Sequence, residues 1–117
     1  MNKRKVGAGK ESLAAEYLVK EGYRILKQNF YCKSGEIDII AQDEGILCFI
    51  EVKYRADSGD GYPEEAVTMS KIRRISRSAL VYMNMCGLPE TTPCRFDVVS
   101  VLGDEIRVIK NAFDAVL

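Results

Sequence analysis

Two strand-like segments, Glu36-Ile37-Asp38-Ile39-Ile40 and Phe49-Ile50-Glu51-Val52-Lys53, set charged residues inside otherwise apolar sequence and are joined through Asp43-Glu44-Gly45. The joining triplet is a tight-turn signal, so residues 36–42 and 46–55 predict an antiparallel hairpin. If the turn consists of Glu44 and Gly45, Asp43 faces Ile46 and each later pair keeps the same sum of residue numbers. Asp38 then faces Glu51. Opposed Cβ atoms in such a pair are roughly 4.5–5.5 Å apart, and like charges there repel. Side chains alternate between faces along a strand, so Glu51 and Lys53 share one face with Asp38 while Val52 takes the other. Two carboxylates that close require a cation or a raised pKa.

The chain has no histidine, which excludes a Ser-His or Cys-His hydrolase and any His-ligated zinc. Chemistry, if present, falls to carboxylates and lysine. Oxygen donors of this kind suit Mg²⁺ or Mn²⁺, usually held by one or two carboxylates with waters and substrate phosphate oxygens. Phosphodiester hydrolysis is the natural use, with Lys53 orienting the attacking water or stabilising transition-state charge. Two other readings stay open: a nucleic-acid-binding or partner-binding module without catalysis, and a structural ion-pair network in which Lys53 bridges Asp38 and Glu51.

Apolar residues Leu13, Ala14, Tyr17 and Leu18 recur at helical spacing over 10–21, with Gly22 placed to end the helix. Glu11 falls on that stripe and Glu16 does not, so Glu11 is a candidate third carboxylate, acting directly or through water. Residues 23–31 read as a first strand, followed by a turn at Cys32-Lys33-Ser34-Gly35. The Gly- and Asp-rich stretch 56–62 predicts a mobile surface loop, and Pro63 a helical turn. Ile72, Ile75, Ala79, Met83 and Cys86 form the stripe of a second helix over 70–86, with Arg73, Arg74 and Arg77 off it. Strands over 95–101 and 105–109 follow, separated by Leu102-Gly103-Asp104, and the tail from residue 111 gives no signal. The order helix, three strands, helix, two strands implies an α/β domain, a mixed sheet flanked by helices, in which the second helix crosses over the sheet.

At 117 residues the chain is sized for a single domain spanning 1–117, with a basic N-terminal tail of about ten residues. Its apolar runs are far shorter than the roughly 18 residues of a membrane span, and its start has no signal-peptide core, so a cytoplasmic protein is expected. Cys32, Cys48, Cys86 and Cys94 form no C-x-x-C pair and read as reduced, structural thiols. The 17 basic and 17 acidic residues cancel, so affinity for nucleic acid must come from clusters. There are two, Lys3, Arg4, Lys5 and Lys10, then Lys71, Arg73, Arg74 and Arg77. Short charge runs also commonly do no more than solvate a surface.

Gly9-Lys10-Glu11 with Ala14 and Leu18, Gly22-Tyr23-Arg24-Ile25-Leu26 with Asn29, Gly35-Glu36-Ile37-Asp38, and Phe49-Ile50-Glu51-Val52-Lys53-Tyr54-Arg55 together resemble the YraN family of bacterial proteins. The likeness continues through Pro63, Ala66-Val67, Lys71 and Arg95-Phe96-Asp97-Val98-Val99. That family is similar to the restriction-endonuclease-like PD-(D/E)xK nucleases, and its arrangement to archaeal Holliday junction resolvases. The resemblance implies that Asp38 is the motif aspartate, Glu51 and Lys53 its E-x-K, and Glu11 the first-helix glutamate. Ile37 stands where the motif is named for proline, and Lys10 precedes Glu11 where the family has glycine. It further implies an Mg²⁺- or Mn²⁺-dependent endonuclease on DNA, with branched or junction DNA as a candidate substrate, Arg55, Lys71 and Arg74 as nucleic-acid contacts and a homodimer as a candidate assembly. Glu36 reads as a surface acid or a support for the site, and Asp97 as a sheet-edge hydrogen bonder or a support for the site.

Overall fold

The computed structural model describes residues 3–55 and 67–117, with residues 3–11 through their backbone alone. The expected loop over 56–62 and helical turn at Pro63 lie outside the described residues, as do the side chains of Glu11 and the first basic cluster. The elements are α1 (Lys3–Lys20), β1 (Arg24–Cys32), β2 (Gly35–Asp43), β3 (Ile46–Arg55), α2 (Met69–Met85), β4 (Cys94–Leu102) and β5 (Glu105–Phe113). This is the order α-β-β-β-α-β-β expected from the sequence. No helix among the described residues is long and apolar enough to cross a membrane.

The five strands form one sheet in the order β1-β2-β3-β4-β5. β3 and β4 run parallel and the other neighbours antiparallel. A parallel pair needs a crossover, and α2 supplies it. One core, Ala14, Ala15, Leu18, Tyr23, Ile39, Ala41, Cys48, Ile50, Val99 and Val101, lies between the sheet and α1; the other, centred on Ile40, Phe49, Ile75, Ala79, Met83 and Phe96, lies between the sheet and α2. The alternation Cys48 and Ile50 to one side, Leu47 and Phe49 to the other assigns each face of β3 to a different helix.

The hairpin turns as expected. Glu44 (φ +51°) and Gly45 (φ +82°) both take left-handed backbone, the requirement of a two-residue type I′ turn, and Asp43 pairs with Ile46. Two boundaries differ from the sequence reading. α1 begins at Lys3 instead of residue 10, so most of the expected basic tail is helical; Gly7 and Gly9 each cost roughly 1 kcal/mol in a helix interior without ending it. Its far end is a Schellman motif on Gly22 (φ +98°), with Gly22 N–H on the Val19 carbonyl at 3.1 Å and Tyr23 N–H on that of Leu18 at 2.9 Å. β5 runs on to Phe113 because Asn111, at φ +54°, absorbs a register shift that hides the alternation. Leu13 is exposed and Ala15 buried, so the buried stripe of α1 is Ala14, Ala15 and Leu18; Glu11 precedes these by three, four and seven positions and its place on the helix continues that line.

The thiols divide. Cys48 is buried, and burial pushes it up to about 12, so it stays protonated; Cys86, expected on the α2 stripe, is exposed, as is Cys94. Cys48 is the fully buried core thiol, and Cys32 packs half-buried against the α2-side core.

Asp97 corrects an expectation. β4 is an interior strand, and Asp97 is fully buried on the α1 face. Tyr23 OH donates to its Oδ2 at 2.8 Å, Arg95 Nε to its Oδ1 at 2.9 Å, and the Asn111 N–H to the same Oδ1 at 2.9 Å. Arg95 also donates to Asp43 at 2.6 Å, and Lys110 to Asp43 at 2.9 Å. This network ties the hairpin turn to β4 and β5. Arg95 first and Lys110 second hold the Asp43 carboxyl below the usual carboxylate range. A carboxyl whose folded pKa is depressed adds stability that is present above its unfolded value of roughly 3.9 and is lost as pH falls through the folded value. Urea unfolding of wild type and Asp43→Asn is therefore expected to differ most near neutrality, the variant being weaker, and to converge as the pH falls below about 3.9 and through the folded-state value. A constant gap across that range would refute the linkage.

Candidate functional site

The β2–β3 ladder runs from Asp43↔Ile46 to Ile39↔Ile50 and stops there. Beyond it the two strands part. β2 continues against β1 alone, through Phe30↔Ile37, Tyr31↔Glu36 and Cys32↔Gly35, while β3 continues against β4 alone, from Glu51↔Val98 to Arg55↔Leu102. Asp38 and Glu51 are the first residues past the split, so the register places them across it as expected, without a backbone ladder between them. Asp38 fills the gap with its side chain, its Oδ2 accepting the Val52 N–H at 2.8 Å. The carboxylate thus does for β3 what a paired strand would have done. Alternation is broken at this point of β2, since Ile37 and Ile40 both pack toward α2 while Ile39 packs toward α1.

Glu51 and Lys53 follow Phe49 on the α2 face, and Lys53 Nζ lies 3.2 Å from Glu51 Oε1. Both side chains are mostly buried, at 13% and 14% exposure. Lys71, in the first turn of α2, approaches the same oxygen at 3.8 Å. That turn is fixed by Thr68, whose hydroxyl caps the helix by accepting the Lys71 N–H at 3.3 Å. Lys53 beside it, and then burial, hold the Lys71 ammonium below the usual lysine range, with Glu51 and Asp38 pulling the other way. The site is accordingly two carboxylates and two ammonium groups at a strand split.

A cleft of about 190 Å³ opens beside it, lined by Gly35, Glu36, Glu51, Lys71, Arg74 and Ile75. Arg74 is steadied by a 3.2 Å hydrogen bond from its Nη2 to Ser70 Oγ. Glu36 is exposed at the rim, and Arg55 lies one pleat past Lys53 on the same strand face. The structure therefore gathers Asp38, Glu51, Lys53, Lys71 and Arg74, keeps Arg55 close by, and leaves out Asp97. Glu11 stands on α1, which packs on the opposite face of the sheet from α2, and its side chain is outside the described residues. Among the described residues no three His, Cys, Asp or Glu side chains converge closely enough to hold a metal.

Sequence reasoning treated Lys71 only as a phosphate contact and did not bring it to Glu51. Its ion pair depends on where the crossover helix lands, and no local pattern encodes that.

Comparison with known proteins adds the family. Residues 10–101 match the model of the uncharacterised protein family UPF0102. The chain is 56% identical over 115 residues to a UPF0102 protein of Lachnoclostridium phytofermentans, covering 98% of each. It is 49% identical to one of Symbiobacterium thermophilum, over 96% of this chain and 98% of that one. It is 44% identical to one of Caldicellulosiruptor saccharolyticus, over 97% and 100%. The matched segment carries the hairpin, the split and the crossover helix, and the chain belongs to the UPF0102 family.

Proposed function

We propose that the protein is a divalent-metal-dependent endonuclease that hydrolyses phosphodiester bonds in DNA, with branched or junction DNA as the form suggested by the resemblance to resolvases. The observation that carries this reading is the split between β2 and β3, where Asp38 and Glu51 meet Lys53 and Lys71 beside an open cleft. A buried ladder end is a costly place for unpaired charge, so such a grouping calls for a use.

Asp38 and Glu51 would hold Mg²⁺ or Mn²⁺, with Glu11 as a third carboxylate; two carboxylates with waters and phosphate oxygens suffice for Mg²⁺. When bound, the metal would polarise the phosphodiester and lower the pKa of a coordinated water. The chain's own residues do the rest. The Val52 N–H fixes the Asp38 carboxylate at the split. Glu51 holds Lys53 in the same crevice, where its ammonium can orient a water or meet charge developing on the phosphate. Lys71, Arg74 and Arg55 supply cationic contacts to flanking phosphates.

The test is cleavage of junction, flap, single-stranded and duplex DNA by pure protein in Mg²⁺ or Mn²⁺. Lys53→Ala is expected to lower the rate on the order of a hundredfold. Equal rates in wild type and variant would overturn the assignment, because the activity would then belong to a contaminant. A second reading has its own support. Glu51 already has two lysine partners and no third acid joins it among the described residues, which suits a nucleic-acid-binding or partner-binding module without catalysis. Binding of the same DNAs with no cleavage in either metal would favour that module.

A further inference from the structure

The parallel pairing of β3 with β4 carries the site sideways. Lys53 pairs with Ser100, and Ser100 pairs with Arg107 on β5. Paired residues share a face, and this row lies on the α2 side, because the row before it holds Glu51, Val98 and Ile109. Adjacent strands are about 4.8 Å apart, so the row runs roughly 10 Å from Lys53 across β4 to Arg107. Ser100 is only 2% exposed, and among the described residues its hydroxyl makes no hydrogen bond. A buried hydroxyl without a partner is a departure from the ordinary rule that such groups are satisfied.

Ser100 lines a small pocket of about 80 Å³ with Leu102, Glu105, Ile106 and Arg107. At about 30 Å³ per water the space holds two to three waters, the scale of a phosphate group and far short of a nucleobase. A serine and an arginine in one lining suit a tetrahedral oxyanion. The acid of the lining, Glu105, belongs to the next row, opposite Leu102 and beyond it Arg55, so the anion-attracting end of the pocket is the one nearest Lys53.

We propose that Ser100 and Arg107 form a second phosphate subsite, which receives a backbone phosphate flanking the one at the Asp38–Glu51 split. The inference rests on the polynucleotide reading given above. It makes β4 and β5 part of the binding surface and directs the bound strand across the sheet, away from α2.

The experiment is binding of a fluorescein-labelled oligonucleotide, single-stranded and duplex, by anisotropy in Ca²⁺ over a salt series, for wild type, Ser100→Ala, Arg107→Gln and the control Arg24→Gln on the far edge strand. Arg107→Gln is expected to weaken binding about five- to tenfold and to reduce the slope of log K against log salt by about 0.7 for single strands and 0.9 for duplex, the loss of one phosphate contact. Ser100→Ala is expected to weaken binding about three- to fivefold with the slope unchanged, since a neutral hydrogen bond is lost; a thermal melt of this buried variant confirms its fold, and Arg107→Gln tests the subsite independently of it. Binding by both variants that matches Arg24→Gln, with an unaltered slope, would overturn the subsite and leave the nuclease reading standing. Wild type that binds no oligonucleotide at all would overturn both.

Discussion

Replacing Arg95 with methionine is expected to destabilise the fold by about 3–5 kcal/mol, the usual consequence of removing one partner of a buried ion pair. The guanidinium, 14% exposed, lies between Asp97 at 0% and Asp43 at 7%. Without it Asp97 keeps, among the described residues, the Tyr23 hydroxyl and the Asn111 N–H, with the Cys48 thiol beside it, and its charge loses the cation that faces it in the interior. Asp43 fares better because Lys110 remains at 2.9 Å. In a chain of this size the loss corresponds to a fall in Tm on the order of 10–20 °C. The double variant Arg95→Met with Asp97→Asn is expected to recover a substantial part of the loss, because it removes the stranded charge together with its partner. A drop below about 1 kcal/mol in the single variant, or no recovery in the double, would mean that the network is not the anchor of β4 and β5 described above.

How far the sequence carried this fold depends on whether a signal was local. The hairpin register was legible because Glu44 and Gly45 sit in a turn whose type fixes pairing, and that register alone put Asp38 across from Glu51. The helix end at Gly22 was legible for the same reason, a glycine standing within a turn of the last apolar position of the stripe. What could not be read was anything set by elements far apart in sequence. Lys71 reaches Glu51 because α2 crosses between two parallel strands, and Lys53 neighbours Ser100 because β3 and β4 pair in parallel. Asp97 was read as an edge residue because β3, the neighbour that makes its strand interior, is separated from β4 in the chain by the whole crossover, and its partners Tyr23 and Asn111 come from the approach to β1 and from β5. The misassigned stripe of α1 has a simpler cause. Leu13 and Ala15 are both apolar, and only packing decides that the smaller one is buried.

Asp38→Asn is expected to separate structure from chemistry at the split. The asparagine side-chain oxygen can still accept the Val52 N–H that Asp38 Oδ2 takes at 2.8 Å, so stability should change by no more than about 1 kcal/mol. The negative charge, however, is gone, and with it the donor set that two carboxylates offer a hard cation. On the proposed reading, cleavage should fall on the order of a thousandfold or more, equivalent to about 4 kcal/mol of lost transition-state stabilisation. Calorimetric binding of Mn²⁺ in the absence of DNA should weaken in parallel, which gives a readout independent of turnover. Asp38→Ala serves as the contrast. It removes the charge and also strands the Val52 N–H, so it should add about 1–3 kcal/mol of destabilisation to the same catalytic loss. If Asp38→Asn cuts and binds Mn²⁺ like wild type while only Asp38→Ala suffers, Asp38 is a backbone cap at the end of a ladder and the split is not a metal site. If both lose metal and cleavage while Asp38→Asn keeps its melting temperature, the residue does two jobs, capping the Val52 N–H and holding the metal.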